Sequence, residues 1–259
     1  GQGDAALIQF PTGETMLVDG GPKTLTYDAG EKIVLPFLRR NEINNLDVVL
    51  VTHPHADHLG GVPAIMRSLP VKKIIIPNQR AQSLLYTEFE NQKRHTTTTI
   101  AMAGNIISEI PNARLYLLHP TTAFLDSDSS DGYTELNNVS VVFKLQYGAT
   151  SFLFVGDAET PVEEQLDVVY GDFLRSDVLK AGHHGSITSS SEEFVHLVHP
   201  MNVVVSVAKF NKFRHPSKVV LERYNNIGAH IYRTDADGAI IFESDGKSVQ
   251  RVNWKKEKD

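Results

Sequence analysis

The chain contains no cysteine, which excludes disulfide staples and thiolate metal ligands. Any metal here must be held by nitrogen and oxygen, and the usage fits the extracytoplasmic location expected for this chain. No apolar run approaches the roughly 18 residues needed to span a bilayer, so a soluble domain is expected. There is no excess of positive charge either. Lys and Arg total 25 against 31 Asp and Glu, and the formal charge of −6 is the opposite of the basic surface usual for duplex binding. Signal peptide and initiator methionine are both missing. The chain starts at Gly1 inside a strand-like segment and reads as a fragment of a longer precursor, with anything upstream, membrane segments included, out of view. No internal repeat is evident. What remains is 259 residues, 41% hydrophobic and 22% charged, enough to bury one sizeable core, and a single domain over 1–259 is expected.

The apolar patterning alternates strands and helices. Residues 5–10 and 15–19 read as a hairpin around Pro11-Thr12-Gly13-Glu14, and 31–40 as a helix presenting Ile33, Val34, Phe37 and Leu38 on one face. Strand 46–51, helix 60–69, strand 73–76 and helix 81–94 follow. Strands at 114–118, 139–147 and 151–155 precede helix 160–170. Strand 177–181, helix 191–199, strand 202–207, helix 216–226 and a terminal pair at 239–243 and 248–252 complete the set. This alternation implies helices packed on sheets. His95 to Gly104, with four consecutive threonines, and Thr121 to Tyr133, rich in Asp and Ser, read as loops.

One stretch carries most of the chemistry. Thr52-His53-Pro54-His55-Ala56-Asp57-His58 places three imidazoles and a carboxylate directly after the buried strand that starts at Leu46. If the extended conformation persists, His53 and His55 leave the same face and converge on one ion. Asp57 and His58 then lie where the chain turns, placed for a second ion. Imidazole and carboxylate suit zinc, iron and manganese alike.

H-x-H-x-D-H after a strand resembles the signature of the metallo-β-lactamase-fold hydrolases. Other segments extend the likeness: Gly1-Gln2-Gly3-Asp4-Ala5-Ala6, Leu17-Val18-Asp19-Gly20-Gly21, Phe154-Val155-Gly156-Asp157-Ala158-Glu159, and Leu179-Lys180-Ala181-Gly182-His183-His184-Gly185-Ser186. With Asn211-Lys212-Phe213-Arg214-His215-Pro216 and Tyr232-Arg233-Thr234-Asp235-Ala236-Asp237-Gly238, the set is similar to the C-terminal hydrolase domain of ComEC-type DNA-internalisation (competence) proteins, and is shared with stand-alone relatives such as choline-binding phosphodiesterases. The resemblance covers the chain to about residue 245. It implies an α/β fold of two similar halves forming a four-layer αββα sandwich.

A two-metal centre sets further requirements. Two nearby cations repel, so a bridging carboxylate is expected, and Asp157 at the end of a strand fits. His183 or His184 would complete the second ion, His184 favoured as ligand and His183 as phosphate contact or proton donor. Gly185 and Ser186 would add donors for an anion. Many relatives carry another His before the strand leading to G-D, whereas Asn137 and Asn138 stand here. Either would coordinate through its amide oxygen or line the pocket, and oxygen donors tilt the site from zinc toward manganese. His119 is an alternative, read here as a loop histidine. Asp19 reads as a carboxylate orienting the ligands, and Asp4 as either a turn former or a carboxylate of the same kind. Asn211 and His215 lie in a loop where relatives present groups to the substrate, and are expected in phosphate binding or leaving-group protonation. Lys209, Lys212 and Arg214 add positive charge there. The expected activity is a dinuclear phosphodiesterase, a DNA nuclease degrading one strand during uptake, with two divalent ions, Asp57, His183 and His215 catalytic, and no nucleotide cofactor. A membrane channel outside this fragment is a possible tether. The alternative is hydrolysis of small phosphodiesters such as phosphorylcholine esters.

Overall fold

Leu46-Asp47-Val48-Val49-Leu50 is apolar on both sides of its pleat, the pattern of a strand inside a parallel sheet covered on both faces. In the computed structural model, which describes residues 3–108, 112–128 and 136–253, it is the centre of a five-stranded sheet. The chain resolves into two compact units, Gln2–Asn105 with Leu117–Val141, and Ile106–Tyr116 with Val142–Asp259. They are called the N-terminal and C-terminal units.

In the N-terminal unit, β1 (Ala6–Gln9) and β2 (Thr15–Val18) form the expected hairpin. A π-helical turn at Gly30–Val34 runs into α1 (Leu35–Arg40). Strand β3 (Leu46–Leu50), α2 (Val62–Ser68), β4 (Val71–Ile76), α3 (Leu84–Lys93) and β5 (Thr97–Ile100) follow. The sheet order is sequential, β1 to β5, with every pairing after the hairpin parallel. Leu17, Leu38, Leu46, Val49, Ile65, Ile74 and Phe89 are among the residues of one apolar cluster between strands and helices. The sheet corrects one expectation: the threonine run is no loop. Thr97–Ile100 is an edge strand, and β-branched threonines satisfy a half-exposed pleat that gains little from apolar burial.

The C-terminal unit holds most of a seven-stranded sheet. Its β6 (Ile106–Ile107) pairs with β7 (Ala113–His119), whose last three residues belong with the N-terminal unit. The chain there continues into α4 (Thr122–Asp128), so a helix occupies the start of the second expected loop, while 129–133 lie outside the described residues. Next come β8 (Val142–Tyr147), β9 (Thr150–Phe154), α5 (Thr160–Tyr170), β10 (Val178–Lys180), α6 (Glu192–Val198), β11 (Asn202–Val205), α7 (Lys218–Asn226) and β12 (His230–Arg233). A short helix, α8 (Thr234–Asp237), precedes the pair β13 (Ile241–Ser244) and β14 (Val249–Val252). The sheet order is β12-β11-β10-β9-β8-β7-β6, parallel from β9 to β12 and antiparallel at β8–β9. Strand β8 begins later than expected. The turn at 136–139 ends with the Ser140 N–H donating to the Asn137 carbonyl (3.0 Å), and Val141 N–H donates to the Thr52 carbonyl (2.8 Å). Strand β12 went unforeseen because a short, half-exposed edge strand has almost no apolar alternation to show. Among the described residues no helix is long and apolar enough to cross a membrane.

Candidate metal centre

Strand β3 stops at Leu50, three residues before the first histidine. The imidazoles of the N-terminal unit are therefore gathered by a turn, which corrects the expectation of a persisting strand. His58 and Leu59 N–H groups both donate to the His55 carbonyl, at 3.1 and 2.8 Å, and curl the chain. His53 Nε2 and His55 Nδ1 face each other at 3.1 Å, and the ring centroids of His53 and His58 are 4.2 Å apart. Three imidazoles thus converge, with His53 and His58 buried.

A carboxylate from the hairpin sets their orientation. Asp19 is buried at the end of β2 in a left-handed backbone conformation (φ 58°). Its Oδ1 accepts from Thr52 N–H (2.8 Å), and its Oδ2 accepts from Thr52 Oγ1 and His58 Nδ1, both at 2.8 Å. Burial pushes this carboxyl up from its ordinary pKa, against the opposing pull of His58. With Nδ1–H spent on Asp19, the lone pair of His58 is on Nε2, the tautomer a metal ligand requires. Asp4 joins the cluster, with ligand atoms of Asp4, Asp19 and His58 all within 4.8 Å of one another. Its N–H donates to the Asp57 carbonyl (3.1 Å), and the position beside it takes Gly3 because its φ is 107° and a Cβ there would meet that carbonyl at 2.3 Å.

The turn carrying Asn137 and Asn138 reaches the same region of this unit. Through Val141 it is tied to Thr52, and Ser140 Oγ lies 3.4 Å from His53 Nδ1. His119 is the last residue of β7 and is buried, not a loop histidine. Its Nδ1–H donates to the Ser140 carbonyl (3.1 Å), and burial lowers its pKa to about 4, so it is neutral. Its ring nitrogens are not in the clusters of metal-capable atoms among the described residues.

In the C-terminal unit, Asp157 follows β9 and is buried. His183 and His184 both adopt left-handed φ, 43° and 54°, a costly arrangement for two consecutive residues with side chains. Gly185 continues it at φ 79°, where a Cβ would strike Pro216 Cβ at 2.6 Å. The strained turn sends the two imidazoles to different tasks. Buried His184 donates Nδ1–H to the Ser206 carbonyl (3.0 Å) and directs Nε2 toward Asp157 Oδ2, 3.6 Å away. Half-exposed His183 donates Nδ1–H to Glu159 Oε1 (3.0 Å), an oxygen that also accepts from Thr188 Oγ1 (2.8 Å), while its Nε2 lies 3.9 Å from Asp157 Oδ2. Glu159 was not singled out from sequence, although the G-D-x-E spacing contained it. His215 packs on His183 with ring centroids 5.7 Å apart, and burial with the two nearby imidazoles lowers its pKa.

Two expected substrate contacts are engaged inside their own loops. Asn211 Nδ2 donates to the Ala208 and His215 carbonyls (3.0 and 2.8 Å), and its Oδ1 accepts from His215 N–H (2.9 Å). Ser186 N–H donates to the His183 carbonyl (2.9 Å), and its hydroxyl pairs with Thr188 Oγ1 (2.9 Å). Both residues shape the loops that present His183 and His215.

The family model for the metallo-beta-lactamase superfamily matches residues 1–208. The chain belongs to the metallo-β-lactamase superfamily. This metallo-hydrolase is 28% identical to ComE operon protein 3 of Bacillus subtilis, over 93% of this chain and 32% of that protein, and 30% identical to competence protein ComA of Neisseria gonorrhoeae, with the same two shares. The chain thus spans about a third of the length of these relatives. In fold it is similar to Igni18, described as a metallo hydrolase from Ignicoccus hospitalis, with a TM-score of 0.58 at 17% identity over 88% of this chain and 90% of the other. The superfamily fold, mixed sheets with helices, is the one expected from the sequence.

Proposed function

We propose that this protein is a metal-dependent phosphodiesterase acting on DNA, degrading one strand during DNA uptake. Its alignment over 93% of the chain with ComE operon protein 3 and with competence protein ComA is the observation that supports this substrate. In this reading it works on the outer side of a membrane, as part of a longer protein whose remaining segments form the channel.

The donor set fits divalent metal. The clustered metal-capable groups among the described residues are imidazoles and carboxylates, and Asp19 and the Ser206 carbonyl each fix a tautomer with Nε2 as the lone-pair nitrogen. His53, His55, Asp57 and His58 in one unit, and Asp157 and His184 in the other, are the residues that would hold two ions, manganese or zinc. When bound, such ions make water more acidic and neutralise phosphoryl charge. The chain's own groups supply the rest. Asp19, Thr52 and Ser140 hold the imidazoles in place. Glu159 orients His183, whose ring leans on His215, so either imidazole protonates the departing oxygen.

The test is cleavage of end-labelled DNA with manganese, zinc or chelator, wild type beside Asp57→Ala, with a chromogenic small phosphodiester in parallel. Metal-dependent DNA cleavage lost in Asp57→Ala is expected. Intact DNA alongside hydrolysis of the small ester would transfer the assignment to small phosphodiesters such as phosphorylcholine esters.

A further inference from the structure

The segment Lys209-Phe210-Asn211-Lys212-Phe213-Arg214 carries three cations and no acid in a chain of net charge −6. It also carries two aromatic rings that the fold does not bury: Phe210 is 91% exposed and Phe213 56%. A single exposed apolar side chain needs no explanation. Two phenylalanines three residues apart, each with a lysine ammonium over its ring, are a different case. Lys209 Nζ lies 5.9 Å from the Phe210 centroid and Lys212 Nζ 4.9 Å from that of Phe213. The loop has a defined shape, because the Asn211 side chain makes three hydrogen bonds within it and Ser217 N–H donates to the Gly185 carbonyl (2.8 Å).

Phe213 also begins a row of rings. Phe213 stacks nearly parallel on His215 (5.7 Å, 12°), His215 packs on His183 (5.7 Å, 60°), and His183 Nε2 is 3.9 Å from Asp157. Aromatic faces therefore run from an exposed loop to the acid–base histidines. Base stacking on aromatic side chains needs unpaired bases, since the faces of a duplex are already covered by their neighbours.

We propose that this loop is a stacking platform for single-stranded nucleic acid. Two bases of the bound strand lie on Phe213 and Phe210, and Lys209, Lys212 and Arg214 neutralise its phosphates. The proposal rests on the phosphodiesterase reading and sharpens it, since the strand reaches the histidines unpaired. The local cation cluster also reconciles an acidic chain with a polyanionic substrate. Aromatic and cationic residues suit an anionic membrane too, but a membrane contact gives no reason for the ring row to end at His183 and Asp157.

The experiment measures fluorescence anisotropy of a labelled oligothymidylate of about 15 nucleotides and of a duplex of equal length, with chelator present so that binding is read without turnover. Phe210→Ala should weaken oligothymidylate binding by roughly ten- to a hundredfold and duplex binding far less. Phe210→Trp should restore it, with the new indole quenched on binding, while Phe210→Leu, apolar without a π face, should not. Lys209→Ala with Lys212→Ala should flatten the salt dependence of binding. Phe210 is exposed enough that none of its variants threatens folding. Wild-type binding by Phe210→Ala or Phe210→Leu overturns the platform, as does a wild type that binds no oligonucleotide. A loss seen only on phosphatidylserine vesicles assigns the loop to a membrane and equally overturns it. DNA cleavage that persists when Phe210 proves irrelevant leaves the phosphodiesterase standing; a metal-loaded wild type inert to every phosphodiester removes that reading instead.

Discussion

The two units hold their imidazoles by different means. In the N-terminal unit a single buried carboxylate, Asp19, accepts three hydrogen bonds and orients His58 with charge. In the C-terminal unit His184 is oriented by a neutral main-chain carbonyl, and the carboxylate Glu159 serves His183. A buried anion strengthens a cationic centre and costs burial energy, whereas a carbonyl orients at little cost. The first arrangement is suited to holding charge. The second stores its cost in backbone, at the left-handed His183 and His184.

Removing a ligand tests both halves most severely. His58→Ala and His184→Ala should each reduce bound metal and hydrolysis by more than about a hundredfold, beyond the usual effect of an orienting residue; metal analysis and initial rates check this. Asp19→Asn comes next. It should cost roughly ten- to a hundredfold in metal affinity and on the order of 2 kcal/mol in stability, because buried donors lose a charged acceptor. A chelator titration and a denaturation curve measure the two. If Asp19→Asn binds metal like the wild type, the asymmetry between the units dissolves.

Glu159→Gln should be milder, about tenfold, and should fall on kcat more than KM with metal content intact, because Glu159 contacts His183 and His184 has its own anchor. A steady-state comparison decides it.

The smallest effect concerns Glu163, buried on α5, whose carboxylate accepts from Ser190 and Ser191 N–H (2.6 and 2.8 Å) at the start of α6. Those donors favour the anion, but burial outweighs them and raises the pKa to about 7 from an ordinary 4.5. A raised carboxyl pKa means that the folded state holds the proton more tightly than the unfolded one. The contribution to stability is full below about pH 4.5, is lost as pH rises through about 7, and is constant above. Glu163→Gln should flatten the stability curve across that window, as urea unfolding at a series of pH values would show. An unchanged slope would mean that the hydrogen-bond donors prevail over burial.

The same contrast explains what could be read in advance. The N-terminal cluster is contiguous, six residues from His53 to His58, so local spacing announced it. The C-terminal cluster is assembled from the ends of β9, β10 and β11, whose residues are far apart in sequence and become neighbours through the sheet register. Strands buried on both faces, such as β3, were plain from their apolar runs. Thr97–Ile100 and His230–Arg233 were not, because an edge strand is held by main-chain pairing and needs no apolar pattern. The loop hydrogen bonds of Asn211 and Ser186 were equally hidden, since an amide or hydroxyl reveals its partner only once the loop has closed.

By itself the sequence determined the superfamily, the alternation of strands and helices, and the nitrogen and oxygen character of the ligand set, since a chain without cysteine has no thiolate to offer. Tertiary structure alone decided which nitrogen of His58, His183 and His184 is turned outward, that Glu159 serves His183, that His119 is buried and neutral, that Phe210 and Phe213 are left exposed, and that Phe213 stacks on His215. Composition and local spacing are properties of the chain as written, whereas hydrogen-bond partners and burial arise only when distant segments meet.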